Sequence, residues 1–416
     1  MSKQIEYKDF RLRLQEKVPA KPLCAQMALT YRCNLRCLHC YVGSLRNTSQ
    51  KDEMDFDFIC NIIDQLYALG FLWLAFSGGE PLLREDFADI YTYAKKRGFI
   101  ITVLTNATLL NARLLKLFEG NKPFYLDIPV YALEENLAEK ISQVQGSFHC
   151  LLENIRLLHE RKIPFKIKTM MMNMNLGEIQ KIRKFARELK ALFSFSPTLY
   201  PCLDGDKTPL RLRIRPELAA RFFAEEDREE AYRSIFPEEN RKINKIPLFR
   251  CGAARFSVNI DPFGRLLGCE CLMEPAFNLK QGSVKEGLDF LFEKIAEGNL
   301  STDSACASCA MIDICQICPA RAYLETGAWE KPVAYYCQVA RVRKHLQICD
   351  FKEALESPLR PHSGEGSRRL SDGGNRRDWF PRELGGDSDT DRKSHKKRCL
   401  PRIRNEQKKK ASVQRS

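Results

Sequence analysis

The sequence predicts an α/β fold: a partial (β/α)6 TIM-like barrel, then a small Cys-rich domain, then a disordered basic C-terminal tail. Three observations predict it. Short apolar runs alternate with amphipathic stretches from residue 23 to about residue 200. Cysteines crowd a Gly/Pro-punctuated stretch over 249–350. From 351 to 416 the composition falls away into Gly, Ser, Arg and Asp, as in "SGEGSRRLSDGGNRRD", too polar to fold by burial. A chain of 416 residues exceeds one ordinary core. Its 44% apolar content suffices for globular folding.

The candidate strands are "CAQMALT", "FLWLAFS", "FIITVLT", "FYLDIPV", "FKIKTMM" and "LFSFSPT". Helical periods lie between them at Phe56–Leu69, Asp86–Lys96, Ala112–Phe118, Phe148–His159 and Leu176–Leu189. Strand–helix alternation at this spacing implies parallel strands with crossover helices, and six units make an incomplete barrel over residues 23–200. Residues 1–22 form a short charged extension without a signal peptide's apolar core. A charged, largely helical bridge spans 201–248, and the Cys-rich domain holds one helical stretch near Val284–Glu297. No apolar run approaches about 18 residues, so no membrane partner is expected and the protein reads as cytoplasmic. Of the net charge of +14, residues 357–416 carry +9. The body is only mildly basic, and nucleic acid is not expected as a partner.

The chain has 17 cysteines. In a reducing compartment that number argues for metal or redox chemistry over disulfides. Cys33-x3-Cys37-x2-Cys40 follows the first strand directly, where barrel-like α/β proteins place their chemistry. A zinc site completed by His39 is one reading, although structural zinc usually takes two separated ligand pairs. The iron–sulfur reading accounts for the count. A [4Fe–4S] cube takes one thiolate per iron, so three leave one iron open for a substrate or cosubstrate. After the second strand comes "SGGEP". Gly78 and Gly79 let backbone approach a ligand closely, Glu80 offers a carboxylate to an ammonium, and Pro81 suits a turn or helix start.

With this pair of motifs the chain resembles the radical S-adenosylmethionine (SAM) superfamily. The resemblance implies a [4Fe–4S] cluster on Cys33, Cys37 and Cys40, with the SAM amine and carboxylate on its open iron and the amine held by Glu80. Reductive cleavage of SAM then gives a 5′-deoxyadenosyl radical that takes a hydrogen atom from substrate. Tyr41 matches the aromatic that packs by the adenine. Thr105, Asn106 and Lys168, with Thr169 and Asn175, stand where further contacts arise in such proteins, though each equally suits an ordinary strand-end polar residue. The fourth strand departs, having no serine where similar proteins often show one.

The downstream set is Cys251, Cys269, Cys306, Cys309, Cys315, Cys318 and Cys337, and "FSVNI–DPFG–RLLGC" reads as a hairpin that brings Cys251 and Cys269 together. Alone it suits two zinc sites. Behind such a barrel it resembles the SPASM extension with two auxiliary [4Fe–4S] clusters. Cys251, Cys269 and Cys318 would hold the first, and Cys306, Cys309, Cys315 and Cys337 the second. Two residues separate Cys315 from Cys318 where the family has three. Cys271 is either a fourth ligand of the first cluster or leaves its iron open. Glu270 stands where sulfatase-maturing relatives carry a catalytic Asp; the alternative is an exposed hairpin carboxylate. Asp204 and Asp206 are weaker candidates for the barrel mouth.

The resemblance implies a maturase of a ribosomally made peptide or protein, with a separate peptide-recognition protein and an external electron donor such as flavodoxin or ferredoxin. The alternatives are a haem-pathway radical SAM decarboxylase or side-chain remover and, in another class, a non-catalytic Fe–S or zinc binding module.

Overall fold

The computed structural model describes residues 22–229, 246–315 and 317–356. Residues 1–21 of the expected extension, 230–245 of the bridge and 357–416 of the expected tail lie outside the described residues.

Six strands run parallel: β1 (Cys24–Thr30), β2 (Trp73–Gly78), β3 (Ile100–Leu104), β4 (Tyr125–Pro129), β5 (Phe165–Met170) and β6 (Leu192–Ser196). Helices α1 (Phe56–Ala68), α2 (Phe87–Lys96), α3 (Ala112–Gly120), α4 (Glu135–Ser142), α5 (Ser147–Glu160) and α6 (Ile179–Glu188) connect them. Strands β1, β3, β4 and β5 alternate in burial. Ala25, Met27 and Leu29 of β1, Leu126 and Ile128 of β4 and Ile167 of β5 are buried in the main core. The intervening residues Asp127 and Lys168 instead face the barrel's interior cavity. Helix α1 shows why its sequence folds locally. The Asp55 side chain caps its N-terminus by accepting from the Phe58 amide at 2.8 Å. Ile59, Ile62, Ile63 and Leu66 recur at helical spacing and are fully buried.

Under α2 and α3 the side chains of Phe76, Phe87, Tyr91 and Phe118 form an aromatic cluster with centroids 5.2–6.4 Å apart. Phe118 is wholly buried. Phe118→Ala is expected to cost about 3–5 kcal/mol through lost transfer energy and a cavity, read as a lower denaturant midpoint with an unchanged slope.

The Cys-rich region joins the barrel sheet. β7 (Ser257–Ile260) pairs parallel to β1, with Cys24 opposite Ser257 and Met27 opposite Ile260. β8 (Arg265–Cys269) and β9 (Leu272–Asn278) continue antiparallel, so the described strands run β6-β5-β4-β3-β2-β1-β7-β8-β9. The expected hairpin is therefore β7–β8, and β9 is a third strand the sequence reading omits. Helix α7 (Pro216–Glu229) lies in the middle of the bridge. The remaining described helices are α8 (Val284–Leu291), α9 (Pro319–Thr326) and α10 (Ala334–Glu356). None of the described helices is long and apolar enough to cross a membrane.

Candidate active site

The loop after β1 is tied to the barrel at three places. Its far side docks on α4, where the Arg36 amide donates to Ser142 O at 2.9 Å and the Leu38 amide to Ile141 O at 3.0 Å. Its base is held by amide side chains: Asn106 Nδ2 donates to Asn34 Oδ1 at 2.8 Å and Asn34 Nδ2 to Thr108 Oγ1 at 2.8 Å. Asn106 Nδ2 also approaches the Cys33 sulfur at 3.8 Å. The end of the loop is held from residues 202–203, where the Cys202 thiol donates to Cys40 O at 3.3 Å and the Leu203 amide to Tyr41 O at 2.8 Å.

The end of β2 crosses over the chain entering this loop. The Gly79 amide donates to Thr30 O at 2.7 Å and the Glu80 amide to Arg32 O at 2.9 Å. A Cβ on Gly78 would lie 2.0 Å from Thr30 O, and one on Gly79 would lie 2.3 Å from Arg32 O. Only glycine permits that crossing. Glu80 is fully buried and does not line the cavity. Its Oε1 accepts from the Leu82 amide at 3.1 Å and Thr105 Oγ1 at 2.7 Å, and its Oε2 from the Asn106 amide at 2.7 Å. Burial pushes its carboxyl up to about 7, and these three bonds pull the other way.

A cavity of about 320 Å³ opens above these loops. It brings together Cys33, Cys37, Cys40, Tyr41, Gly78, Gly79, Thr105, Asn106, Lys168 and Glu270. Asp204 and Asp206 do not line it. Asp204 accepts from the Ser44 amide at 2.7 Å, and Asp206 caps Thr208 within its own loop. Asn175 is likewise structural, its side chain bonding Tyr131 O, Met170 O and the Met172 amide.

The cavity is also lined by Asp127, His39, Tyr131 and Tyr200, none of which the sequence assigns to the SAM site. Asp127 pairs with Lys168 at 3.3 Å, while its buried Oδ1 has no hydrogen-bond partner among the described residues. His39 sets its ring edge-on to Tyr131 at 4.4 Å, with Nδ1 likewise unpartnered. Burial lowers the imidazole to about 4, so it is neutral near pH 7. Tyr200 lies 5.7 Å from Tyr41. The signal for Asp127 was in the sequence: alternation in "YLDIP" places it opposite Leu126 and Ile128. Glu270, at the β8–β9 bend, accepts on Oε2 from Gln26 Nε2 at 2.6 Å and from the Tyr41 hydroxyl at 3.2 Å. Tyr41 thereby links the cysteine loop to the Cys-rich region.

The three thiols of the loop suit a cluster electrostatically. Burial pushes Cys33 up to about 12, with the Glu80 charge adding to it. Burial likewise raises Cys37, with Cys40 and Cys33 as repelling neighbours. Buried thiols that oppose one another's ionisation become thiolates together only around positive charge. Among the described residues no three His, Cys, Asp or Glu side chains close on a point that would hold a single ion. A four-iron cube spreads its ligands, one per iron.

The eight described thiols from Cys251 to Cys337 fall into two sets. Cys251, Cys269 and Cys318 feel one another's charge, and Cys271, buried, shares a hydrogen bond with Cys269. Cys306, Cys309, Cys315 and Cys337 form the other set. Its loop is held by Arg250, which donates to Ile312 O at 2.6 Å and Cys315 O at 2.8 Å, and by Arg343, which donates to Ile314 O at 2.6 Å. Cys60 of α1 and Cys150 of α5 are buried.

Residues 27–186 match the Radical SAM superfamily. The chain is similar to the AdoMet-dependent heme synthase of Methanosarcina barkeri, 25% identical over 332 residues, which cover 74% of this chain and 95% of that protein. It is also similar to the antilisterial bacteriocin subtilosin biosynthesis protein AlbA of Bacillus subtilis, at 25% identity over 60% of this chain and 55% of AlbA, so it spans about half of that relative. Among solved structures it resembles SuiB of Streptococcus suis. The form bound to S-adenosylmethionine gives TM-score 0.61 at 17% identity, covering 78% of this chain and 80% of that one. The form bound to the precursor peptide SuiA gives 0.59 at 18% identity, covering 81% and 82%. At such identities the structural likeness establishes the fold.

Proposed function

We infer that this chain, a radical SAM enzyme through its residues 27–186, acts on a ribosomally made peptide or protein and matures it. The observation that carries this reading is one shared cavity. The three loop thiols, the Gly78–Gly79 crossing and Glu270 all border it, so a SAM site and the Cys-rich region open on the same space. Cys33, Cys37 and Cys40 would hold a [4Fe–4S] cluster, and Glu80 would hold the SAM amine. Bound there, cluster and SAM supply a carbon radical able to take a hydrogen atom from a substrate. The protein's own part is placement and dryness. Tyr41 and Gln26 fix the Glu270 carboxylate, a candidate base, at the cavity edge. Thr105 and Asn106 hold Glu80 and the loop, and Lys168 with Asp127 puts a charged pair on the wall.

Cys251, Cys269, Cys271 and Cys318, and separately Cys306, Cys309, Cys315 and Cys337, would hold two auxiliary [4Fe–4S] clusters, which would supply electron acceptors for a substrate undergoing oxidation. The likeness to SuiB and AlbA supports the peptide reading. A separate recognition protein, a flavodoxin- or ferredoxin-type donor and a cytoplasmic setting belong to the same proposal. A second reading, removal of carboxyl groups from a haem precursor, is favoured by the 95% of the M. barkeri heme synthase that the chain covers.

The two separate in one experiment. Oxygen-free enzyme with SAM and reductant is offered either the short peptides encoded beside its gene or iron coproporphyrin. A mass change in a peptide, with matching release of 5′-deoxyadenosine, is expected. Conversion of the porphyrin alone would move the function to the haem pathway. A colourless protein containing zinc and no iron would remove the enzymatic reading.

A further inference from the structure

Asp127 and Lys168 sit deeper in the barrel than the residues assigned to the SAM site. The cysteine loop, Glu80 and Asn106 all follow the last residues of their strands. Asp127 is instead inside β4 and Lys168 inside β5, and both border the cavity. Lys168 Nζ lies 3.3 Å from Asp127 Oδ2, so the carboxylate charge is balanced within the wall. The other oxygen, Oδ1, is buried without a hydrogen-bond partner among the described residues. Buried polar atoms are paired as a rule, and a lone pair left over at a cavity wall suits a donor on a ligand. Two more such atoms, His39 Nδ1 and Ser77 Oγ, belong to residues that border the same space.

The pair decides which charge it accepts. A carboxylate would gain Lys168 but would meet Asp127 Oδ1 as a like charge, and a cation would compete with Lys168 for the same carboxylate. An uncharged amide suits both partners. Its N–H donates to Oδ1, and its carbonyl accepts one of the ammonium protons not directed at Asp127. We propose that Asp127 and Lys168 form a substrate-anchoring subsite that grips one amide of a peptide, a side-chain carboxamide or a backbone peptide unit, and rejects a carboxylate in its place. This inference deepens the peptide reading of the proposed function and rests on it.

The test uses oxygen-free, reconstituted full-length enzyme with SAM, reductant and whichever peptide encoded beside the gene the wild type modifies. In D127A the KM for that peptide is expected to rise about 10–100-fold, the range for a lost hydrogen bond to a charged group. The KM for SAM should rise less, and kcat should fall less than KM rises. D127N keeps the shape, but with its amide oxygen turned to Lys168 it shows the cavity a donor in place of an acceptor. It should therefore weaken the peptide about as much as D127A does. Changing the Asn and Gln residues of the peptide singly to Asp and Glu locates the amide. One change that raises the wild-type KM about tenfold or more identifies a side-chain carboxamide, and uniform tolerance identifies a backbone unit. Three results overturn the subsite alone: a peptide KM in D127A within about threefold of wild type, a SAM KM that rises as far as the peptide KM, or D127N matching wild type. Conversion of iron coproporphyrin and of no peptide would instead remove the peptide reading, and the subsite with it.

Discussion

Cys37→Ala is expected to bring 5′-deoxyadenosine release down to background and to remove about four irons per chain. Mutating an outer partner of a metal site commonly costs about 10–100-fold, and losing a ligand should exceed that. The cluster would be left with two thiolates for four irons, one of them Cys33, whose thiol burial already pushes up to about 12. Backbone bonds from Arg36 and Leu38 to α4 do not depend on the Cys37 side chain, so the fold should persist, checked by an unchanged far-ultraviolet circular dichroism spectrum. Cys60→Ala is the control. Its thiol is buried in the apolar face of α1, so iron and activity should stay at wild-type levels while stability falls modestly. Full iron and continued SAM cleavage in Cys37→Ala would end the account of the loop as a cluster site.

What holds the loop in place lies partly outside it. Helix α4 anchors it, yet α4 has only eight residues, and its buried apolar contact is Ile141. So short a period is lost between the stronger patterns of β4 and α5. Strand β9 was hidden for a different reason: it contains Glu274 and Pro275, and proline demotes a run as a strand. The pairing of β7 with β1 joins residues more than two hundred positions apart and leaves no local trace. By contrast the six parallel strands were legible because each is a short apolar run followed by an amphipathic helix. The cysteine loop and the Gly-Gly-Glu turn were legible because their residue types have few other uses in that order. The sequence places Tyr41 as an aromatic beside a ligand. Its bond to Glu270 joins segments 229 residues apart, a distance motif reading does not span.

Glu80 carries the second large expectation, in which pH decides. In the unfolded chain its carboxyl titrates near 4.5, and burial raises it to about 7 in the fold. The folded state therefore prefers the protonated acid. The stability this contributes is complete below about pH 4.5 and is lost as pH rises through about 7, a change of about 3 kcal/mol. A site that holds a carboxylate at such a cost is poised for a cation. If the SAM ammonium is that cation, its arrival favours the ionised form and returns what burial took. The thermal stabilisation given by SAM should accordingly grow from pH 6 to pH 8 in wild type. In Glu80→Gln the slope should flatten and SAM should bind about 10–100-fold more weakly, the range for a hydrogen bond to a charged group. A purely structural clasp predicts otherwise. Gln can keep some of the three bonds from Leu82, Thr105 and Asn106, so the melting temperature would fall while SAM affinity and its pH slope matched wild type. That outcome would detach Glu80 from the cofactor and leave it as the pin that holds the ends of β2 and β3 beneath the cysteine loop.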